Sequence, residues 1–85
     1  MLTKEIILHA ADGLHARPAG ELVKLVKSFD GTSVTLSAAG KKANAASMLG
    51  ILALGLKSGT SIEITAQGPR EEEAAEAVYN LISQL

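Results

Sequence analysis

Two stretches of the chain alternate strictly between apolar and polar residues, and this period of two restricts the fold more than any other feature. At residues 34–38, Val34, Leu36 and Ala38 face one way while Thr35 and Ser37 face the other. In Ser61–Gln67, the apolar Ile62, Ile64 and Ala66 oppose Ser61, Glu63, Thr65 and Gln67. Strands of this kind bury one face and wet the other, as in an antiparallel sheet with one covered side. Residues 4–10 read as another strand, with Ile7 out of step with the alternation. Gly40-Lys41 marks a turn from residues 34–38 into a short strand near 42–45.

A sheet with one dry face needs helices to cover it, and helical spacing appears three times. Ala19, Leu22, Val23, Val26 and Phe29 form one apolar stripe, started by Pro18 and stopped near Gly31. Ala74, Val78, Leu81, Ile82 and Leu85 form another, preceded by Gly68-Pro69. Glu71, Glu72 and Glu73 fall in its first turn, where the helix dipole favours negative charge. The third helix, residues 47–54, is apolar on nearly every side, with Gly55 as its stop. The element order is therefore βαββαβα. It predicts an α+β, two-layer open-faced sandwich: a four-stranded, mainly antiparallel sheet with three helices on one side. Residues 1–85 read as a single domain, without repeat, linker or low-complexity tract.

The chain has no cysteine, so no disulfide framework or thiolate metal site can reinforce a core this small. The core must be aliphatic, since Phe29 and Tyr79 are the only aromatic residues. A formal net charge of -1 lacks the basic footprint of a nucleic-acid binder, and so few aromatics offer no base-stacking platform. Residues 1–8 mix acid and base with a few apolar residues, unlike a secretory signal. The longest apolar run, residues 48–56, falls far short of the roughly 20 residues that cross a bilayer. A monomeric cytoplasmic domain, free of membrane, metal and cofactor, is the expectation.

The chemistry concentrates in Asp12-Gly13-Leu14-His15-Ala16-Arg17-Pro18-Ala19. Gly13 turns the chain out of the first strand, and Pro18 sits in a first helical turn, where its missing N–H has no intrahelical acceptor. His15 then lies at a helix mouth, beside unpaired backbone donors and the positive end of the dipole, where anions bind. The same field favours a neutral, nucleophilic imidazole. Arg17 adds a permanent planar cation able to grip phosphate oxygens. These parts suit phosphoryl transfer, in which positioning and charge neutralisation dominate. A histidine can both accept and release the group. No second carboxylate pair, glycine-rich phosphate loop or metal-ligand cluster accompanies them, and a relay whose partners bring the remaining machinery fits that sparseness.

Gly13-Leu14-His15-Ala16-Arg17-Pro18-Ala19 resembles the active-site signature of HPr, the histidine phosphocarrier family of the bacterial sugar phosphotransferase system. Asn44-Ala45-Ala46-Ser47-Met48-Leu49-Gly50, continuing through Ile51 to Gly55, resembles the regulatory-serine segment of that family. The resemblance covers the whole chain. It implies that His15 takes a phosphoryl group on Nδ1 from Enzyme I and passes it to Enzyme IIA domains of sugar permeases. It also implies that Arg17 steadies the phosphate. Partners would dock on Ala16, Pro18, Lys24 and Lys27, beside the apolar Met48, Leu49 and Leu52. Ser47 would be a phosphorylation site for a serine kinase and phosphorylase, with a catabolite-control repressor as a further partner. The sequence departs from the family where lysine often precedes this serine, having Ala46 instead.

Plainer roles stand beside these. Ser47 is a natural helix N-cap. His9 belongs on a strand's solvated side, and Lys41-Lys42 decorates a hairpin. The same residues admit other functions: a nitrogen-branch phosphotransferase carrier with regulatory output, a regulatory module never phosphorylated on His15, and a small acylphosphatase-like hydrolase. The last lacks a second group to hold an attacking water.

Overall fold

The computed structural model describes all 85 residues, Met1–Leu85. Its elements follow the expected order: β1 (Leu2–Ile7), α1 (Ala16–Lys27), β2 (Ser33–Ala38), β3 (Lys41–Asn44), α2 (Met48–Ala53), β4 (Ser61–Gln67) and α3 (Glu71–Ser83). The four strands form one sheet in the order β1-β4-β2-β3, and every neighbouring pair is antiparallel.

Register explains why this order buries the alternating residues. Ile6 pairs with Ile62, Leu36 with Ile64 and Val34 with Ala66, so the apolar residues of three strands share one face. The other face presents Thr3, Thr65 and Thr35 in a row. A one-residue slip would exchange the two faces, so burial pins the pairing. The helices share a core of 19 buried residues with the dry face. α3 packs on β1 and β4 through Ala74, Ala75, Val78 and Ile82, while α1 packs on α3 and α2. α1 contributes Pro18, Ala19, Leu22 and Val26; of the stripe read from the sequence, Val23 and Phe29 are only half-buried.

Three boundaries differ from the expected ones. β1 starts at Leu2 and ends at Ile7 rather than spanning residues 4–10. Its alternation is unbroken: Ile6 and Leu8 are buried, and Ile7 is an outward residue, half exposed. Lys4 occupies an inward position because its aliphatic stem packs there, with the ammonium 5.6 Å from the Tyr79 ring centroid. Past β1, Leu8 stays tied to the turn before β4, donating to the Thr60 carbonyl and accepting from Gly59. α1 ends at Lys27, so Phe29 lies beyond the helix, half-buried under the Arg70 guanidinium 4.7 Å from its ring centroid. α2 spans six residues, and Ile51 is the only one of them fully buried. A helix that short has one side to offer the core, so the apolar residues on its other side stay in solvent. No helix of the chain is long and apolar enough to cross a membrane.

Candidate functional site

The approach to α1 is fixed before the helix begins. Gly13 has φ +72°, and its N–H donates to the Ala10 carbonyl over 3.0 Å. A side chain at this position would run into the Leu56 carbonyl oxygen. That same oxygen accepts the Leu14 N–H at 3.0 Å. Leu14 is buried, and the residue after it is thereby thrust outwards at a fixed point. Glycine at position 13 thus serves both the turn and the close approach of two backbones.

His15 is the N-cap of α1, in extended conformation with φ −92° and ψ −169°. Its carbonyl accepts the Ala19 N–H at 3.0 Å, but its imidazole makes no capping hydrogen bond. Serine or aspartate would normally spend its side chain on the helix at this position. Here the ring is left free and exposed. The first-turn N–H groups of Ala16 and Arg17 have no intrahelical acceptor, and Pro18 contributes none. Arg17 is exposed as well. The two ion pairs of the molecule lie elsewhere, between the Met1 ammonium and Glu71 and between Arg70 and Glu73. An exposed imidazole and an exposed guanidinium, both without internal partners, therefore share the positive end of a helix.

Both side chains line one open cleft of about 370 Å³. Pro18, Asp12, Gly13, Ala10 and Ala11 contribute to its wall, together with Glu21 and Leu85. The sequence alone places neither Glu21 nor Leu85 at this site; it shows Leu85 only as the end of the last helix's apolar stripe. Glu21 could have been found, because it stands four residues after Arg17 and therefore on the same side of α1. Leu85 follows α3 and is distant in sequence, so its place here depends on how α3 crosses the sheet. A site of this composition can bind an anion between guanidinium and helix mouth while presenting an imidazole nitrogen as nucleophile.

The second motif is placed beside the first by α1–α2 packing. Ser47 caps α2, its Oγ accepting the Gly50 N–H at 3.1 Å. Met48 is half-buried, and its thioether lies 3.8–3.9 Å from where a Cβ on Gly20 would stand. Leu49 is 82% exposed and Leu52 39% exposed. Ala16, Lys24 and Lys27 are exposed on α1, whereas Pro18 is buried and contributes shape rather than open surface. The remaining residues have the plainer roles expected of them. His9 is exposed as expected but lies past the end of β1 rather than on the strand, Lys41 and Lys42 belong to the β2–β3 hairpin, and Glu71 to Glu73 occupy the first turn of α3. No three His, Cys, Asp or Glu side chains come together as a metal-ligand set.

Several known proteins similar to this chain are phosphocarriers. Residues 2–84 match the PTS-HPr family, described as the PTS HPr component phosphorylation site. The phosphocarrier protein HPr of Vibrio cholerae is 41% identical over 85 residues, covering 100% of this chain and 99% of that protein. The multiphosphoryl transfer protein of Escherichia coli O157:H7 is 39% identical over 98% of this chain, which corresponds to 23% of that longer protein. Among solved structures, HPr from Thermoanaerobacter tengcongensis superposes with a TM-score of 0.93 at 36% identity, covering 99% of this chain and 93% of that one. The Bacillus subtilis catabolite repression protein Crh, solved as a swapped dimer, superposes with a TM-score of 0.79 at 33% identity, over 99% and 95% of the two chains.

Proposed function

The chain belongs to the HPr family and is a phosphoryl carrier of the phosphotransferase system, and from that premise we propose that His15 is the residue that carries the group. The observation supporting this assignment is the pairing of His15 and Arg17, both exposed and without internal partners, on one cleft at the mouth of α1. The carrier exchanges its group with other components of the system, such as Enzyme I and Enzyme IIA proteins.

In the proposed reaction the lone pair of His15 Nδ1 forms a bond to phosphorus as the donor's bond to it breaks. The ring keeps its other proton on Nε2. The phosphoryl oxygens carry a charge near −2, which the ring, made cationic by the new bond with its Nε2 proton kept, offsets by one, and which Arg17 and the free N–H groups of the first turn offset further. Release reverses the same steps onto the acceptor. Because no partner inside the molecule must be displaced, the reorganisation cost at His15 is small in both directions.

Lys24 and Lys27 with Met48, Leu49 and Leu52 form the proposed docking face. An apolar strip with two lysines on the neighbouring helix, beside a reactive residue, suits transient contact with partners of acidic rim and apolar centre. Ser47 is first a helix cap. A serine kinase acting there would place a dianion beside Leu49 and Leu52, weakening apolar docking, and a repressor that reads this phosphate would approach the same face. These partners imply a cytoplasmic location, and residues 1–85 are proposed to act as one domain.

The test is incubation with phosphoenolpyruvate and Enzyme I, followed by intact mass and site mapping. One acid-labile phosphoryl group on His15, absent from His15→Ala, is expected. Phosphate that persists in the mutant, or that maps to His9, would overturn the assignment.

A further inference from the structure

The cleft that holds the reactive histidine is not purely cationic. Arg17 supplies the one positive side chain on its wall, yet Asp12 enters from the preceding loop and Glu21 from the next turn of α1. Neither carboxylate makes a hydrogen bond or ion pair inside the molecule, although Glu21 is placed at helical i, i+4 spacing from Arg17. With a neutral imidazole these three side chains sum to −1. Transfer of a phosphoryl group onto Nδ1, with the Nε2 proton kept, adds one net negative charge to the same cleft, and that charge lies on the phosphoryl oxygens facing its wall. Arg17 and the ring then face two carboxylates and an anionic phosphoryl group.

We propose that Glu21, assisted by Asp12, sets the phosphoryl-transfer potential of the carrier: the carboxylates repel a phosphoryl group on His15 and so favour its onward transfer. The inference rests on His15 being the phosphorylated residue. A carrier needs this balance, because an anion site built only of cations would stabilise the phosphorylated form and retain the group. Arg17 admits the phosphate, and the two acids keep it from becoming a resting state. A docking partner that brings cations to the cleft relieves the repulsion only while it is bound. The phosphoryl balance is simple: the ring nitrogen's lone pair makes the bond to phosphorus, and the electron pair of the broken bond stays with the donor. Glu21 takes no part in that exchange of bonds. It acts through space, and its effect belongs to the equilibrium between the two forms.

An experiment can separate this effect from a role in folding. The chain is equilibrated with catalytic Enzyme I at a fixed ratio of phosphoenolpyruvate to pyruvate, and the phosphorylated fraction is read by intact mass. Charges of about −1 and −1 placed about 7 Å apart, roughly the width of this cleft, change an equilibrium constant in water by about threefold at low ionic strength. Glu21→Gln and Asp12→Asn should each raise the constant for the phosphorylated form by about that factor in about 10 mM salt. Glu21→Lys should raise it further, to about tenfold. All three shifts should collapse towards unity at about 1 M salt, where charges this far apart are screened. A structural role would not produce that salt dependence. Unchanged constants would overturn the proposal. So would a fall in the constant for Glu21→Gln, which would mean that Glu21 orients Arg17 instead. Site mapping of the wild type distinguishes the two levels: phosphate absent from His15 refutes the underlying assignment, whereas phosphate on His15 with constants insensitive to Glu21 refutes only this one.

Discussion

Replacing Gly13 by alanine should damage the molecule in two separable ways. The backbone at this position has φ +72°, which disfavours an L side chain by about 1–2 kcal/mol. In addition, the new methyl group would overlap the Leu56 carbonyl oxygen and approach the Lys57 Cα to 3.2 Å. Relief requires moving one backbone away from the other, an overpacking cost of about 1–3 kcal/mol. The sum, about 2–5 kcal/mol, is a large share of a small domain's stability. It corresponds to a fall in melting temperature of about 10 °C or more. Gly55 provides the control: its φ is +62°, but a Cβ there meets nothing within 4 Å. Gly55→Ala should therefore lose only the conformational part. The carbonyl displaced in Gly13→Ala also accepts the Leu14 N–H, so the base of His15 shifts with it. A misplacement of about 1 Å can slow a positioned reaction by up to about a hundredfold. Calorimetry on both variants and single-turnover phosphoryl transfer from Enzyme I, measured well below the melting transition, provide the check. If Gly13→Ala melts with Gly55→Ala and transfers at the wild-type rate, the contact with Leu56 does not position the site.

Three further predictions test neighbouring parts. Arg17→Ala should slow transfer by roughly ten- to a hundredfold, the worth of one charge-assisted contact of about 1.5–3 kcal/mol, with an unchanged melting temperature because Arg17 has no internal partner. Ser47→Ala should cost about 0.5–2 kcal/mol by removing the acceptor of the Gly50 N–H, whereas Ser47→Asp should melt no lower than wild type and bind Enzyme I more weakly in titration calorimetry. Glu71 accepts hydrogen bonds from the Met1 ammonium and, more weakly, from the Gly68 N–H, which hold its carboxyl below the ordinary value of 4.5. A depressed folded pKa stabilises the fold above the unfolded pKa, and the contribution is lost as pH falls through the folded value. Denaturation of wild type and Glu71→Gln should therefore differ most near neutrality and converge in acid; a gap independent of pH would refute the pairing.

The sequence was most informative where one physical signal acted alone. Residues 34–38 and Ser61–Gln67 had only burial to satisfy, and their alternation located two strands almost to the residue. β1 was harder to read because its two odd positions invert the usual code. Lys4 faces inwards on the strength of its hydrocarbon stem, while Ile7 faces solvent. The stripe ending in Phe29 overran α1 because that ring is buried by Arg70, a contact across 41 positions that no local pattern records. At the site, His15, Arg17 and Ser47 could be read from their places relative to helix starts. The clash between position 13 and Leu56, and the convergence of Leu85 on the same cleft, arise only when α2 and α3 pack.

On the proposed assignment of His15, stability and transfer chemistry are divided between adjacent residues. Gly13, Leu14 and Pro18 are buried, and they fix where the helix starts. His15, Ala16 and Arg17, the three residues between Leu14 and Pro18, are exposed, and none of their side chains makes a bond within the molecule. That division has a physical reason. A group that must accept a phosphoryl from one protein and surrender it to another cannot have its imidazole engaged by a fixed partner, since each transfer would first have to break that bond. The rigidity needed for fast transfer therefore comes from the backbone on either side: the Leu14 N–H bonded to Leu56 and the His15 carbonyl bonded to Ala19. α2 follows the same rule. Ile51 anchors it in the core and Ser47 closes its start, leaving Leu49 and Leu52 exposed, as the proposed docking face requires.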